Sequence, residues 1–265
     1  MKMRARRHLG GRRRGEGRFG AWCTIIASAR GKRHEASNHH CEDVVGRSVH
    51  RGVHVIALAD GAGSACLARE GATIAVNAAM QHVSKHFAQL VSVPSPVGRQ
   101  RLIERVRCAL VQEAKRREVQ IGDLACTLLL AASDGQTLIV GQIGDGRVAV
   151  RCAESKVWRS ALEPSRGEHA NETYFATSSS YLEKFEYAVL SARQFDACTL
   201  MSDGAEASLF NRGRQEYAKA MDTMASWAMQ FPQRKVEEAI GDELVRLMTT
   251  KTFDDVSVAM LVRSG

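Results

Sequence analysis

The sequence predicts an α+β fold in which antiparallel sheets are covered by helices. Asp134-Gly135 and Asp145-Gly146 each lie between apolar runs, which is the strongest short-range signal of a β-hairpin. Amphipathic stretches also follow one another in pairs at two places in the chain. A doubly wound parallel sheet would need single helices alternating with strands, so antiparallel sheets with paired helices are favoured.

Hydrophobic periodicity locates each element, because strands repeat every two residues and helices every 3.6 residues. In chain order the predictions are a strand at 21–29, a polar loop at 30–42, a strand at 53–59, helices at about 66–90 and 98–119 separated by Pro94 and Pro96, strands at 125–131, 137–143, 147–151 and 197–202, helices at 214–230 and 233–249, and a closing strand at 256–262, with a loop at 167–173.

The charge of the chain is concentrated at one end. Residues 1–19 contain eight of the 37 Lys and Arg residues but one of the 29 Asp and Glu residues. We therefore expect residues 1–20 to form a basic disordered tail and 21–265 to form one folded domain. The tail is either a solvated extension or an electrostatic arm. The near-neutral body lacks interleaved aromatic and basic residues, which disfavours a nucleic-acid-binding protein.

The cysteines and the hydropathy predict the compartment. The seven cysteines lack Cys-x-x-Cys spacing and lie mostly in apolar runs, as reduced buried thiols do. An Ala-x-Ala sequence at 27–29 imitates a secretion signal, but the apolar stretch before it is short and interrupted. His39-His40-Cys41 has no second ligand pair at zinc spacing. We expect a cytoplasmic protein without a membrane span or a zinc site.

Four acidic motifs carry the chemistry: Glu42-Asp43, Asp60-Gly61, Ser202-Asp203-Gly204 and Asp254-Asp255. Asp60 and Asp203 end predicted strands, and Asp254 begins one. Carboxylates at strand ends are costly to bury without a cation, and hard divalent cations prefer oxygen ligands. The motifs therefore predict one acidic cluster for metal-assisted hydrolysis, with phosphate esters as the favoured substrates.

Other acidic residues have structural interpretations. Asp134 is expected to be a hairpin-turn residue, whereas Asp145 is either a turn residue or a ligand. Glu42 is either part of the site or a surface carboxylate. Because side chains alternate along a strand, Asp255 is expected to face solvent or to lie in a turn after Asp254.

Together with Ile143-Gly144-Asp145-Gly146-Arg147, these motifs occur in the order of a known signature. From about residue 22 to 263 the chain resembles the metal-dependent protein phosphatase 2C (PPM) family. It is most similar to a bacterial subgroup in His34, nine residues before Asp43, and in the blocks at 60–64, 71–72 and 167–173.

The resemblance implies a fold and a set of ligands. The fold would be a four-layer α-β-β-α sandwich of two antiparallel sheets flanked by helix pairs, with the catalytic domain at 21–265. Two Mn²⁺ or Mg²⁺ ions are implied. Asp60 would bridge the ions, Gly61 would offer its carbonyl, Asp203 and Asp254 would complete one shell, Asp43 would ligate an ion or its water, Glu42 would lie outside, and Asp145 with Asp203 could hold a third ion.

The implied reaction is direct attack of a metal-bridging hydroxide on phosphoserine or phosphothreonine, with Asp43, Asp60, Asp203 and Asp254 as the catalytic residues. Its partners would be phosphorylated proteins and a serine/threonine kinase or the targets of that kinase. Membranes and nucleic acids are not implied.

The chain also departs from the family pattern. Many relatives have a phosphate-binding Arg where this chain has Asn38, and Lys32, Arg33 or His34 are the candidates to replace it. Eukaryotic members have a His where this chain has Ala62. The missing Arg motivates the alternative of a catalytically weak phosphoprotein-binding or regulatory module on the same fold. Residues 165–180 would correspond to the variable flap.

Overall fold

The strands form two antiparallel sheets, and the computed structural model describes residues 22–36, 39–163 and 173–263. The strands are β1 (Trp22–Ala29), β2 (Val44–His50), β3 (Val53–Ala59), β4 (Leu128–Ser133), β5 (Thr137–Ile143), β6 (Arg147–Cys152), β7 (Trp158–Ser160), β8 (Glu186–Ser191), β9 (Phe195–Met201), β10 (Phe210–Asn211), β11 (Glu216–Tyr217) and β12 (Val256–Arg263). Within the described ranges the first sheet has the order β1-β12-β9-β6-β7, the second has the order β2-β3-β4-β5-β8, and β10 pairs with β11.

Helices cover the outer face of each sheet. They are α1 (Lys32–Ala36), α2 (Ala68–Ser92), α3 (Ser95–Arg117), α4 (Tyr181–Lys184), α5 (Asp203–Leu209), α6 (Ala220–Gln230) and α7 (Gln233–Glu243), with a π-helical turn at Leu244–Met248 and 3₁₀ turns at Ile121–Leu124 and Ala192–Gln194. Helices α2 and α3 pack on the second sheet, whereas α5, α6 and α7 pack on the first. The predicted α+β sandwich of two antiparallel sheets flanked by helices is confirmed.

Strand β3 shows how the sequence builds these layers. Its side chains point alternately to the two faces of the sheet. Val55 and Ala57 pack with α2 and α3, whereas Ile56 and Leu58 pack between the two sheets. Both faces of β3 are therefore buried, which explains why the strand is apolar except at His54 and why Asp60 directly follows a buried segment.

Strand β2 was absent from the predicted elements, because Arg47 and Ser48 interrupt its apolar pattern. It pairs with β3 across a turn at Arg51 and Gly52, whose φ angles are 49° and 80°. Positive φ at both central residues is the mark of a type I′ hairpin turn. Arg51 is not a usual residue for that turn, so the local sequence gave no hairpin signal.

Other boundaries differ where short elements replace the predicted ones. The predicted loop at 30–42 contains α1, and the predicted helix at 214–230 begins only at α6. The preceding residues form the β10–β11 ribbon, in which the rings of Phe210 and Tyr217 lie 4.7 Å apart between centroids. The last predicted helix ends as a regular α-helix at Glu243 and continues as the π-helical turn.

Some predictions concern residues outside the described ranges. These are the basic tail at 1–20, Asn38, and most of the loop at 167–173. The division into a tail and a domain therefore stays a prediction. Within the described ranges, every helix is too short or too polar to span a bilayer.

Candidate active site

A cleft of about 170 Å³ opens where the strand ends of the two sheets meet. The carboxylates of Asp60, Asp145, Asp203 and Asp254 line it. The same wall contains Glu42, Gly61, Arg33 and His34. The fold therefore brings all but two of the predicted site residues to one cleft, the exceptions being Asp43 and Lys32.

Asp60 is fixed by backbone pairing with Thr127. The Asp60 peptide N–H donates to the Thr127 hydroxyl at 2.8 Å, and the Asp60 carbonyl accepts from the Thr127 peptide N–H at 2.8 Å. Gly61 follows, and a Cβ there would lie 2.7 Å from the backbone of Ala68. The start of α2 can therefore approach the Asp60-Gly61 segment only because residue 61 is a glycine.

Asp203 and Asp254 are brought together by the pairing of β9 with β12. The Ser202 peptide N–H donates to the Ser257 carbonyl, and the Ser257 peptide N–H donates to the Ser202 hydroxyl, both at 3.0 Å. Asp203 then begins α5, and its Oδ1 accepts from the Gly204 peptide N–H at 2.6 Å. The Asp254 side chain is half exposed toward the cleft.

Asp145 lies in the turn between β5 and β6. Its Oδ2 accepts from the Thr173 hydroxyl at 2.7 Å. Gly144 has a φ of 113°, which favours glycine, and it packs against the side chain of Thr127. Asp145 is thus both a turn residue and part of the cleft wall, so both interpretations of this residue remain open.

Asp43 is buried beside the cleft, with 3% of its surface exposed. Neither of its carboxylate oxygens has a hydrogen-bond partner among the described residues. Desolvation raises the pKa of Asp43 to about 7, although the hydroxyls of Ser257 and Ser202 nearby oppose the rise. A buried carboxylate without partners is costly, and a cation would compensate it.

The other carboxylates repel one another. Burial, followed by the charges of Asp43 and Asp203, raises the pKa of Asp60 well above its ordinary value of 3.8. Burial, followed by the charges of Asp145 and Asp254, raises the pKa of Asp203 to about 6. The folded chain therefore concentrates acidic groups at a cost in free energy unless positive charge is added.

The donor set fits a hard cation such as Mg²⁺ or Mn²⁺, which prefers carboxylates and carbonyls. Among the described side chains, however, no group of three His, Cys, Asp or Glu residues is already arranged to hold an ion. The carboxylates surround the cleft but do not converge on one point. Binding would have to draw them inward.

The three candidate phosphate-binding residues lie in different environments. Arg33 is exposed in the cleft wall, and its Nη1 lies 4.0 Å from Asp254 Oδ1. Lys32 is exposed and is not part of the cleft wall. His34 is buried, and its Nδ1 lies 2.9 Å from Asp255 Oδ2. Arg33 and His34 both line the cleft, and Arg33 is the one of the two whose side chain is exposed there.

The expectation that Asp255 faces solvent is wrong, because Asp255 is 5% exposed. Asp255 lies at the base of the cleft, where its carboxylate accepts hydrogen bonds from Gly31, Glu42 and His34, whereas the Asp254 side chain stays half exposed. Burial alone would raise the pKa of Asp255, but hydrogen bonds from Gly31, His34 and Glu42 lower it below 3.8. The doubled Asp254-Asp255 pair is the one sequence signal that could have indicated this residue.

The chain is similar in sequence to known protein phosphatases. The sequence model of the family described as Protein phosphatase 2C matches residues 30–244. Serine/threonine-protein phosphatase 3 of Escherichia coli (strain K12) is 30% identical over 171 residues, which cover 63% of this chain and 67% of that protein.

Solved structures agree in fold. The serine/threonine phosphatase Stp1 from Staphylococcus aureus has a TM-score of 0.61 at 13% identity, covering 97% of this chain and 100% of the other. PppA, a key regulatory component of T6SS in Pseudomonas aeruginosa, has a TM-score of 0.62 at 20% identity, covering 93% and 99%. The family match and the similarity to the Escherichia coli phosphatase confirm the enzyme class predicted from the sequence, a protein serine/threonine phosphatase. Because the family match spans most of its residues, the chain belongs to the protein phosphatase 2C family.

Proposed function

We propose that the chain is a Mn²⁺- or Mg²⁺-dependent enzyme that hydrolyses phosphoserine and phosphothreonine in proteins. The observation that carries the proposal is the buried carboxylate of Asp43, which has no hydrogen-bond partner among the described residues and lies beside Asp60 and Asp203. Such a cluster is stable in its ionised form only with added positive charge.

The proposed ligands are the residues predicted from the sequence. Asp60, Asp203, Asp254, Asp43 and the Gly61 carbonyl would hold two ions, and Asp145 with Asp203 would hold a third, looser one. When bound, such ions would lower the pKa of water to supply hydroxide and would neutralise phosphoryl oxygens. The acidic side chains of this chain contribute by placing negative charge around the cations and by staying ionised once the cations are present.

The remaining side chains would bind and orient the phosphate. Arg33 presents a guanidinium at the cleft, which suits an oxygen-rich dianion because it donates several hydrogen bonds in one plane. Ala62, which also lines the cleft, has no proton to donate to a leaving alkoxide. The proton would therefore come from water in the open cleft, and esters with poor leaving groups should react slowly.

The proposal also includes a substrate class and a location. The names of the relatives imply phosphorylated proteins as substrates, and a serine/threonine kinase acting on the same targets is the natural counterpart. Cytoplasmic location follows from the predicted reduced state of the cysteines. Both the kinase and the location stay predictions.

Hydrolysis of para-nitrophenyl phosphate and of a phosphothreonine peptide tests the proposal. We expect turnover with Mn²⁺, loss of turnover with EDTA, and a fall of more than roughly 100-fold in kcat/KM for Asp60→Asn, because metal assistance is worth several kcal/mol. Asp134→Asn is the matched control, since Asp134 only bonds backbone N–H groups of its own hairpin turn. Turnover that resists EDTA, or an unaffected Asp60→Asn, would contradict the proposal. No turnover by the wild type would favour the regulatory-module alternative.

A further inference from the structure

The carboxylate of Asp255 joins three segments at the base of the cleft. Its Oδ1 accepts from the Gly31 peptide N–H at 2.7 Å. Its Oδ2 accepts from the Glu42 peptide N–H at 2.6 Å and from His34 Nδ1 at 2.9 Å. One side chain near the C-terminus therefore holds a loop, a helix and an acidic motif from the N-terminal part of the chain.

The hydrogen bond from the Glu42 peptide N–H to Asp255 holds a peptide that lies between two segments with proposed metal ligands. Glu42 immediately precedes Asp43, and the Glu42 carbonyl accepts from the Gly61 peptide N–H at 3.3 Å. The Glu42 peptide is thus held on one side by Asp255 and on the other side by the residue after Asp60. A shift of this peptide would move both acidic segments relative to each other.

The bonds to Gly31 and His34 hold α1 against the start of β12. The Arg33 peptide N–H donates to the Phe253 carbonyl at 3.1 Å, next to Asp254. A side chain at Gly31 would collide with the backbone of Asp254, so the two segments are in direct contact. The guanidinium of Arg33 and the carboxylate of Asp254 are therefore carried by one bonded unit.

The start of α5 packs on the same unit. A side chain at Gly204 would collide with the Asp255 carbonyl, so Asp203 is carried into the cleft directly above the Asp255 backbone. His34 completes the arrangement: the residue is 8% exposed, and its Nε2 lies 3.6 Å from Glu42 Oε2. Nδ1 must carry the proton, because the facing Asp255 oxygen is an acceptor.

We propose that Asp255 and His34, which lie at the base of the cleft, are positioning residues: their hydrogen bonds hold Asp43, Asp254 and Arg33 in the arrangement that cation and phosphate binding requires. This inference rests on the proposed function. Residues that orient metal ligands from behind affect metal affinity strongly, because ligands free to move must be ordered when the ion binds.

Substitutions at His34 separate positioning from simple packing. His34→Ala removes the donor to Asp255, whereas His34→Asn places an amide N–H near the position of Nδ1. We expect His34→Ala to weaken Mn²⁺ binding by roughly 10- to 100-fold and to raise the Mn²⁺ concentration needed for half-maximal hydrolysis in proportion. His34→Asn should restore both values close to those of the wild type.

Asp255→Asn should resemble His34→Ala, because an amide nitrogen at the Oδ2 position cannot accept from the Glu42 peptide N–H. The matched control is Asp196→Asn. Asp196 is also buried and accepts from Arg151 and Lys156, but it is not part of the cleft. That variant should lose thermal stability and keep the Mn²⁺ affinity of the wild type.

Mn²⁺ binding to the full chain is measured by electron paramagnetic resonance of the free ion, with the thermal midpoint of each variant recorded in parallel. If Asp255→Asn does not fold, the two His34 variants decide the question. The positioning role is overturned if His34→Ala binds Mn²⁺ as tightly as the wild type, or if His34→Asn does not recover the affinity that His34→Ala loses. Either result leaves the proposed function standing. A wild type that binds no Mn²⁺ overturns both.

Discussion

At the scale of single residues, α1 points three adjacent side chains in three directions. Lys32 faces solvent, Arg33 is exposed at the cleft, and His34 is buried at the base of the cleft. Successive residues of a helix are separated by about 100° around its axis, so neighbours in sequence cannot share one face. All three residues were candidates for phosphate binding, because the sequence predicted a loop at 30–42 and not the helix α1.

Replacing Arg33 with Ala should therefore lower kcat/KM for para-nitrophenyl phosphate, and replacing Lys32 should not. Hydrogen bonds to charged groups are worth about 1.5–3 kcal/mol, which corresponds to a fall of roughly 10- to 100-fold for Arg33→Ala. Steady-state kinetics at saturating Mn²⁺ measure the effect. An equal loss in Lys32→Ala, the matched neighbour on α1, would show that the charge of the helix matters and not the side chain in the cleft.

The acidic residues differ in how far the sequence indicates them. Asp60, Asp203 and Asp254 stand at the ends of apolar strands, where carboxylates are costly to bury without a cation, so the sequence predicts that they form one cluster. Asp255 could not be predicted in the same way, because its burial depends on donors from distant segments such as Gly31. The missing signal is tertiary: nothing local to β12 says which of two adjacent aspartates turns inward.

At the scale of elements, the strands with both faces buried were predicted best. The bounds of β5 agree with the prediction, and β9 and β12 differ from it by one or two residues at an end. Strands β2, β7 and β8 were not predicted, because they lie at sheet edges where polar residues and unusual turns are tolerated, and the separate β10–β11 ribbon was missed as well. Their existence depends on the neighbours with which they pair.

The contact between α2 and the 3₁₀ turn at Ile121–Leu124 provides a test at this scale. A Cβ at Gly71 would collide with the carbonyl of Leu124, whereas a Cβ at Gly122 would meet nothing within 4 Å. We expect Gly71→Ala to lower the free energy of unfolding by about 1–3 kcal/mol, although Ala is ordinarily the better helix residue. Urea unfolding measures it, with Gly122→Ala as the control. A stabilised Gly71→Ala protein would contradict this packing.

At the scale of the whole molecule, the carboxylate cluster makes stability depend on pH. The pKa of Asp43 is about 7 in the folded chain and 3.8 by ordinary chemistry, and that of Asp203 is about 6. At a pH between the ordinary and the raised pKa values, the folded state holds protons that the unfolded state has released. The free energy of unfolding therefore falls as pH rises. Each unit of pKa difference is worth roughly 1.4 kcal/mol, so the fall is on the order of several kcal/mol.

The thermal midpoint of the EDTA-treated protein should therefore decrease between about pH 5 and pH 8. Added Mn²⁺ should raise the midpoint most at the upper end of this range, because ionised carboxylates bind the ion. Differential scanning calorimetry provides both curves. Asp43→Asn removes the carboxylate whose pKa is raised to about 7, so the midpoint of this variant without metal should depend less on pH. A midpoint of the metal-free wild type that rises over this range would contradict the proposed electrostatics.

The proposed metal-dependent hydrolysis requires cations to enter the cleft between the two sheets. Anomalous scattering from a crystal soaked in manganese tests this most directly. We predict manganese peaks between Asp60, Asp203 and Asp254, with the Asp43 carboxylate drawn toward them. A well-ordered soaked crystal without anomalous density in that cleft would contradict the proposed mechanism.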